Sequence, residues 1–196
     1  MENMNFLIVG VGGQGTVLSG DVLAEVGLNA GYDAKKSDIL GLAIRSGSVI
    51  SHVRWADKVN SPMSMKGSVD YLVAFEPLES LRLLDFLKPD STIIVNQYKI
   101  PPAAVATGQV QYPSKEELEK FQNGAAKKVY RLEATAAAQK IGSVKAVNIF
   151  LMGVLASRLP VDKKAWIDAI NKFAPKKFLD LNIKAFEAGM TAIQGN

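Results

Sequence analysis

The chain has 196 residues, of which 48% are hydrophobic and 21% charged, and its formal net charge is +4. This composition is typical of a globular protein, and the length is sufficient to bury a core without disulfides or metals. The absence of cysteine excludes disulfides, a cysteine nucleophile and thiolate ligation of zinc or iron–sulfur clusters by this chain. The basic residues occur as scattered pairs, which favours solvated helix faces over nucleic-acid binding.

We expect one domain over residues 1–196. The first residues lack the basic region of a secretory signal, and no apolar run is long enough to span a bilayer. These features predict no membrane association and a cytoplasmic location.

The first structural signal is an apolar run over residues 5–10 that passes into a glycine loop and then a helical pattern. This order is typical of a β-strand, a tight turn and a helix N-terminus. Gly10, Gly12 and Gly15 fit the spacing G-x-G-x-x-G, which lets a backbone approach a phosphate. Gln14 adds an amide at the mouth of the loop, where it either contacts a ligand or caps the helix.

Short β-rich runs alternate with helical patterns along the rest of the chain. This alternation predicts an α/β fold: a Rossmann-like open, mostly parallel sheet with helices on both faces and further helices at the C-terminus. The predicted strands cover residues 5–10, 32–38, 47–55, 71–75, 91–95, 109–112 and 129–132. The predicted helices cover residues 14–29, 77–84, a segment after a capping box at Ser114, 134–141, 146–158, 162–172 and 177–193, with loops at 39–47 and 96–108.

A dinucleotide site needs more than the glycine loop. It requires an acidic side chain near the end of the second strand to bind the ribose hydroxyls. Asp38 is available but comes late, and the neighbouring Lys35 and Lys36 favour a phosphate instead. A glycine turn used only for tight strand–helix packing is the alternative, and both interpretations stay open at this point.

A second unusual stretch follows the second predicted strand. Arg45 lies in a predicted loop with Ser46 and Gly47, where its guanidinium suits a carboxylate or phosphate because it can bind in a fork. A surface ion pair is the alternative. His52 is the only histidine, and its place on a strand favours a structural residue over a catalytic base.

The two stretches together carry a resemblance. The pattern Gly-x-Gly-Gly-Gln-Gly at 10–15, followed by Gly-x-x-x-Arg-x-Gly-x-Val-x-Ser-His-Val-Arg at 41–54, resembles the gamma-type domain of 2-oxoacid:ferredoxin oxidoreductases, and most closely the beta subunit of its indolepyruvate branch. The resemblance extends in order along nearly the whole chain. Its further matches are residues 74–82, Asn96 with 100–102, 112–114, Asn148 with Gly153, and 182–189.

The resemblance implies oxidative decarboxylation of a 2-oxoacid, here an aryl pyruvate such as indolepyruvate, with the acyl group passing to coenzyme A and electrons to ferredoxin. It implies thiamine diphosphate, magnesium and [4Fe–4S] clusters in a larger partner subunit, since this chain lacks cysteine and the usual thiamine diphosphate signature. It implies no catalytic residue and no metal ligand in this chain.

A cofactor-facing or partner-facing edge is then expected to comprise Gly10, Gly12, Gly13, Gln14, Gly15, Arg45, Ser46 and Gly47. Two other classes of protein stay open from the residues alone. One is a free-standing nucleotide- or dinucleotide-binding module, and the other is a purely structural assembly subunit.

Overall fold

A six-stranded sheet organises the molecule, for which a computed structural model describes residues 3–41 and 47–193. The strands are β1 (Met4–Val11), β2 (Asp33–Leu40), β3 (Ser48–Ala56), β4 (Val69–Ala74), β5 (Leu87–Asn96) and β6 (Lys128–Leu132). Their spatial order is β2-β3-β1-β4-β5-β6. Strands β1, β4, β5 and β6 run parallel, whereas β3 is antiparallel to both of its neighbours, β1 and β2.

Helices cover both faces of this sheet. They are α1 (Thr16–Asn29), α2 (Pro77–Leu81), α3 (Ala103–Ala106), α4 (Lys115–Ala125), α5 (Ala134–Ile141), α6 (Val147–Ala156), α7 (Lys163–Phe173) and α8 (Leu179–Thr191), with 3-10 turns at Leu84–Phe86, Val144–Ala146 and Lys176–Phe178. None of the helices among the described residues is long and apolar enough to cross a membrane.

The alternation of side chains along β1 divides the core into two layers. Phe6 and Ile8 pack into the larger cluster, with residues of α1, α6 and α8. Leu7 and Val9 pack into the smaller cluster on the opposite face. A central strand buried on both faces must be apolar throughout, which explains the unbroken apolar run. The predicted α/β fold with a mostly parallel sheet and helices on both faces is confirmed.

The strand predicted at 109–112 is wrong. Gly108 adopts a left-handed conformation with φ +76°, and the amides of Gln109 and Val110 then donate to the carbonyl of Ala104. The segment therefore folds back on α3, which lies in the predicted loop, and it makes no ladder with the sheet. Residues 39 and 40 of the loop predicted at 39–47 belong instead to β2, which continues to Leu40, and residues 42–46 lie outside the described part of the chain.

Helix α6 is buried along its whole length. It approaches α8 so closely that a Cβ built on Gly153 would lie 2.1 Å from the carbonyl oxygen of Phe186. A Cβ on Gly189 of α8 would lie 2.0 Å from the carbonyl oxygen of Phe150. No side chain fits at either position, so the two backbones pack directly against each other.

We expect Gly153→Ala to lower the free energy of unfolding by about 3 kcal/mol, because the added methyl group must push two packed backbones apart. Urea denaturation of the purified chain measures this. The matched control is Gly124→Ala in α4, where nothing lies within 4 Å of the added Cβ; there we expect a gain of about 0.5–1 kcal/mol from the better helix former. Equal stability of the two variants would contradict the close backbone contact.

Candidate functional site

The C-terminal ends of the parallel strands meet at one edge of the sheet, which is where open α/β sheets bind ligands. Strand β1 leads through the glycine loop (residues 10–15) into α1. Gly13 and Gly15 adopt left-handed conformations, with φ +97° and +88°, that side chains with a Cβ rarely reach. The loop therefore requires glycine at these two positions for its turn.

Gln14 fastens the glycine loop to the neighbouring strand. Its Oε1 accepts a hydrogen bond from the Val11 amide at 2.7 Å, and its Nε2 donates to the Phe75 carbonyl at 3.1 Å. A Cβ on Gly10 would lie 2.9 Å from Gln14 Oε1 and 3.0 Å from Phe75. Position 10 therefore requires glycine, because the Gln14 amide and Phe75 pack directly over it. Both the oxygen and the nitrogen of the Gln14 amide have hydrogen-bond partners inside the protein.

The Phe75 carbonyl also belongs to a buried hydrogen-bond network at the ends of the strands. Asn96 Nδ2 donates to the Phe75 carbonyl at 3.1 Å and to Thr135 Oγ1 at 2.9 Å, and Asn96 Oδ1 accepts from the Thr135 amide at 3.2 Å. A satisfied network of this kind holds its members in a single arrangement. It ties the ends of β1, β4 and β5 to the start of α5.

Backbone amides at the start of α1 are available to a ligand. Within the described part of the chain, the amides of Gly13 and Gly15 make no hydrogen bond, and the first-turn amides of any helix lack a partner inside it. The N-cap Gly15 has no side chain to occupy them. Together with the helix dipole, these amides favour an anion.

Asn148 of α6 lies against this helix start. The residue is only 3% exposed, and a Cβ on Gly15 would lie 2.7 Å from Asn148 Nδ2. Among the residues that the structure describes, its side-chain amide has no hydrogen-bond partner, yet its polar atoms are not sealed from solvent. A buried polar group without a partner is costly, so this amide is placed to bind something that enters from outside.

Asn148 lines a cleft of about 380 Å³, here called the glycine-loop cleft. Lys145 adds a positive charge to it, and no carboxylate pairs with that ammonium in the described residues. The remaining wall is largely apolar. The lining residues are Gly13, Gln14, Gly15, Leu18, Tyr98, Ile100, Thr135, Val144, Lys145, Val147 and Asn148.

A smaller groove of about 190 Å³ adjoins this cleft and shares Leu18, Lys145 and Asn148 with it. Phe178 and Leu181 give the groove an apolar floor. The cleft and groove together therefore offer amides, an ammonium and a carboxamide beside apolar surface. This arrangement suits a ligand that carries phosphate groups on an organic framework.

A buried carboxylate holds one wall of the glycine-loop cleft. Glu76 Oε1 accepts hydrogen bonds from the Ile100 amide at 3.2 Å and from the Tyr112 hydroxyl, and Oε2 accepts from the Glu79 amide at 3.0 Å. These bonds fix the segment that presents Tyr98 and Ile100 to the cleft. Burial, reinforced by the hydrogen bond to Glu76, raises the pKa of Tyr112 well above its usual value.

The second predicted stretch is only partly described. Arg45 and Ser46 lie outside the described residues. The Gly47 carbonyl accepts a hydrogen bond from the Gly12 amide at 2.9 Å, which brings the end of that stretch beside the glycine loop. Gly47 therefore lies beside the glycine loop, and its role in binding stays a prediction.

Asp38 and Lys36 are engaged with each other. Lys36 Nζ lies 2.8 Å from Asp38 and 2.6 Å from Asp21, and Ser51 donates to Asp38 at 2.6 Å. Burial by itself lowers the pKa of Lys36, but the hydrogen bonds to the two carboxylates outweigh it and raise that pKa. Neither residue is therefore free to bind a ribose hydroxyl or a phosphate.

His52 is buried and lies outside the glycine-loop cleft. Its Nδ1 accepts a hydrogen bond from the Ser64 amide at 3.2 Å, and its ring meets Phe86 edge-on. Burial lowers the pKa of His52, which favours the neutral ring. Its contacts join β3 to the loop that follows it.

The fold and this site define an α/β domain with a ligand cleft at the ends of its parallel strands. Residues 5–192 match the model of the pyruvate ferredoxin/flavodoxin oxidoreductase family, and the chain belongs to that family. It is 34% identical to indolepyruvate oxidoreductase subunit IorB of Pyrococcus horikoshii, over 98% of this chain and 96% of that protein.

Two solved structures share the fold. The gamma subunit of a keto/oxoacid ferredoxin oxidoreductase from Geobacter sulfurreducens superposes with a TM-score of 0.70 at 23% identity, over 95% of each chain. The 2-oxoglutarate:ferredoxin oxidoreductase of Magnetococcus marinus gives a TM-score of 0.72 at 18% identity, over 97% of this chain but 31% of the larger one. The predicted family resemblance is confirmed, and the family does not favour a free-standing nucleotide-binding module.

Sequence reasoning did not assign a site role to Asn148, Lys145 or Tyr98. A signal for Asn148 exists, because it is the one polar side chain in the helix sequence VNIFLMGVLA. A polar residue in an otherwise apolar helix needs a partner or a function. Lys145 and Tyr98 carry no comparable signal, since exposed residues of these types are common.

We expect Tyr112→Phe to lower the thermal unfolding midpoint at pH 8, because Glu76 loses a hydrogen-bond donor while buried. The deficit should shrink as the pH rises above about 10, because the unfolded protein then releases a tyrosine proton that the folded wild type retains. Circular dichroism melts between pH 8 and 11 measure both effects.

The control for this prediction is Tyr98→Phe, since the Tyr98 ring is 52% exposed and its hydroxyl makes no hydrogen bond in the described residues. We expect its midpoint to match the wild type at pH 8. A Tyr112→Phe deficit that is absent at pH 8, or that grows with pH, would show that the Glu76 contact does not hold this wall.

Proposed function

We propose that this chain is the small subunit of a cytoplasmic 2-oxoacid:ferredoxin oxidoreductase that acts on an aryl pyruvate such as indolepyruvate. The main support is its similarity to the indolepyruvate oxidoreductase subunit along nearly its whole length. In this proposal the chain is inactive alone and works in complex with a larger subunit.

The redox and decarboxylation groups do not fit this chain. The sequence contains no cysteine for iron–sulfur ligation, and the described residues contain no group of three or more acidic or histidine side chains suited to a metal ion. In such a complex, thiamine diphosphate with magnesium supplies decarboxylation and [4Fe–4S] clusters carry electrons to ferredoxin. We assign these groups to the larger subunit.

The chain's own contribution is then binding and orientation. We assign the glycine-loop cleft to coenzyme A, the co-substrate that accepts the acyl group. The single observation that carries this assignment is the unpartnered, 3% exposed Asn148 amide beside the free amides at the start of α1. Coenzyme A has the chemistry that the cleft requires, since it combines several phosphates with a long organic framework.

The parts of the cleft have separate roles in this proposal. The amides of Gly13 and Gly15, Lys145 and the Asn148 carboxamide bind phosphate oxygens, while Tyr98 and the other apolar residues pack against the organic part. The hydrogen-bond network of Phe75, Asn96 and Thr135 at the strand ends holds these groups in place before the ligand binds. Such preorganisation reduces the entropy lost on binding.

Arg45 and Ser46, with Gly47, are proposed to extend this edge toward the larger subunit. Their support is the hydrogen bond between the Gly12 amide and the Gly47 carbonyl, which brings the end of their stretch to the glycine loop. A purely structural assembly subunit is the remaining rival. It predicts that changes in the cleft leave coenzyme A kinetics intact.

We expect Asn148→Asp to raise the KM for coenzyme A at least tenfold in the co-expressed complex, with a smaller change in kcat. The variant is nearly the same size, and its carboxylate is tolerated near the α1 N-terminus, but it repels phosphate and loses a donor. A hydrogen bond to a charged group contributes about 1.5–3 kcal/mol, and about 1.4 kcal/mol corresponds to tenfold in affinity.

The matched control for that experiment is Lys163→Gln. This residue is half-exposed, pairs with Glu187 at 2.7 Å and lies outside the glycine-loop cleft. It should leave the KM for coenzyme A unchanged. If Asn148→Asp assembles with the larger subunit and shows wild-type KM and kcat, coenzyme A does not bind in this cleft.

We expect Arg45→Ala to weaken either assembly with the larger subunit or the affinity for coenzyme A. Co-purification of the two subunits measures the first, and steady-state kinetics of the assembled complex measures the second. Loss of one guanidinium contact to an anion should cost about tenfold in the affected constant. Normal assembly together with normal turnover and coenzyme A affinity would remove Arg45 from this role.

A further inference from the structure

A second cleft lies on the other side of residues 97–100, the segment that forms one wall of the glycine-loop cleft. Tyr98 and Ile100 line the glycine-loop cleft, whereas Gln97 and Lys99, at the alternate positions, line a cleft of about 250 Å³. This Arg131 cleft lies between α4 and the C-terminal ends of β5 and β6. Neither the family comparisons nor the proposed coenzyme A site accounts for it.

Hydrogen bonds to α4 fix the Arg131 guanidinium. Its Nε donates to Gln122 Oε1 at 3.1 Å, and its Nη2 donates to Asn123 Oδ1 at 2.9 Å and to the Glu119 carbonyl at 3.5 Å. Gln122 is only 1% exposed and is itself held by a hydrogen bond of 2.9 Å from its Nε2 to the buried Ser80 hydroxyl. The orientation of the guanidinium is therefore set from inside the protein.

The outer edge of this guanidinium remains available. Nη1 makes no hydrogen bond to the described residues, and it is not among the sealed polar atoms; the Arg131 side chain is 22% exposed. An oriented guanidinium binds an oxyanion through charge-assisted hydrogen bonds from its N–H groups. Since Nη2 already donates to Asn123 and Glu119, Nη1 is the oriented donor of this cleft that has no acceptor among the described residues.

The charges around the cleft favour an anion. Lys99 and Lys115 contribute two ammonium groups beside Arg131, against the carboxylates of Glu119 and Glu133. Glu119 lies 3.8 Å from Lys115 and 4.0 Å from the Arg131 Nε, on the side away from Nη1. Lys99 pairs with no carboxylate in the described residues and lies over the Tyr112 ring at 5.0 Å, so its charge remains available.

We infer that the Arg131 cleft binds a phosphate group, either inorganic phosphate or a small phosphate monoester. Arg131 Nη1 donates to a phosphate oxygen, and Lys99 and Lys115 neutralise the remaining charge. The site is separate from the glycine-loop cleft and does not depend on the proposed coenzyme A role.

The test uses the full chain at low ionic strength, titrated with inorganic phosphate and with glycerol phosphate, and followed by amide chemical shifts. Both ligands should saturate and shift the amides around Gln97 and Arg131. Arg131→Gln should weaken binding at least tenfold, and Arg131→Lys should give an intermediate loss because it keeps the charge without the oriented Nη1 donor. Glu119→Gln should tighten binding, because it removes a competing carboxylate.

Lys163→Gln, which is half-exposed and lines neither cleft, is the matched control and should leave these titrations unchanged. If Arg131→Gln does not fold, the double variant Lys99→Gln with Lys115→Gln, at two exposed positions, tests the inference instead, and it should likewise weaken phosphate binding at least tenfold. The inference is overturned if these variants bind phosphate like the wild type, if Lys145→Gln alone abolishes binding, or if acetate binds as tightly as phosphate. None of these outcomes bears on coenzyme A kinetics of the Asn148 variant.

Discussion

The backbone contact between α6 and α8 is the constraint on which the site depends. Because Gly153 and Gly189 carry no side chains, the two helices approach within van der Waals distance of each other's carbonyls, and α6 becomes fully buried against the sheet. Burial of α6 carries Asn148, near its start, against Gly15. A wider helix spacing would move that amide away from the start of α1, and the cleft would lose its one buried polar group.

Hydrogen bonds to Phe75 and Glu76 fix the ends of the strands. The Phe75 carbonyl accepts hydrogen bonds from both Gln14 and Asn96, and the adjacent Glu76 binds the segment that bears Tyr98 and Ile100. These residues come from distant parts of the chain, and each one provides a hydrogen-bond partner for a buried polar group of another. These hydrogen bonds hold the edge in one arrangement, which suits its proposed role in positioning a co-substrate for a larger subunit.

Most of the fold was predictable because strong local patterns agree with the tertiary packing. Helix α5 begins and ends where its pattern places it, and β1 is apolar throughout because it is buried on both faces. The strand expected at 109–112 failed because the left-handed Gly108 turns its amides back to Ala104. The antiparallel direction of β3 carries no local signal, since alternation of side chains is the same for a strand that runs either way.

The sequence by itself determined the family, through glycine, arginine and histidine spacings distributed along the chain, and the absence of cysteine excluded thiolate-bound clusters. Only the tertiary structure decided what the individual residues do. It directed the Gln14 amide inward to hydrogen-bond Val11 and Phe75, paired Asp38 with Lys36, and brought Asn148 to the glycine loop. The physical reason is that these roles depend on which hydrogen-bond partner lies within about 3 Å, and the partners come from distant segments whose meeting is set by packing rather than by local pattern.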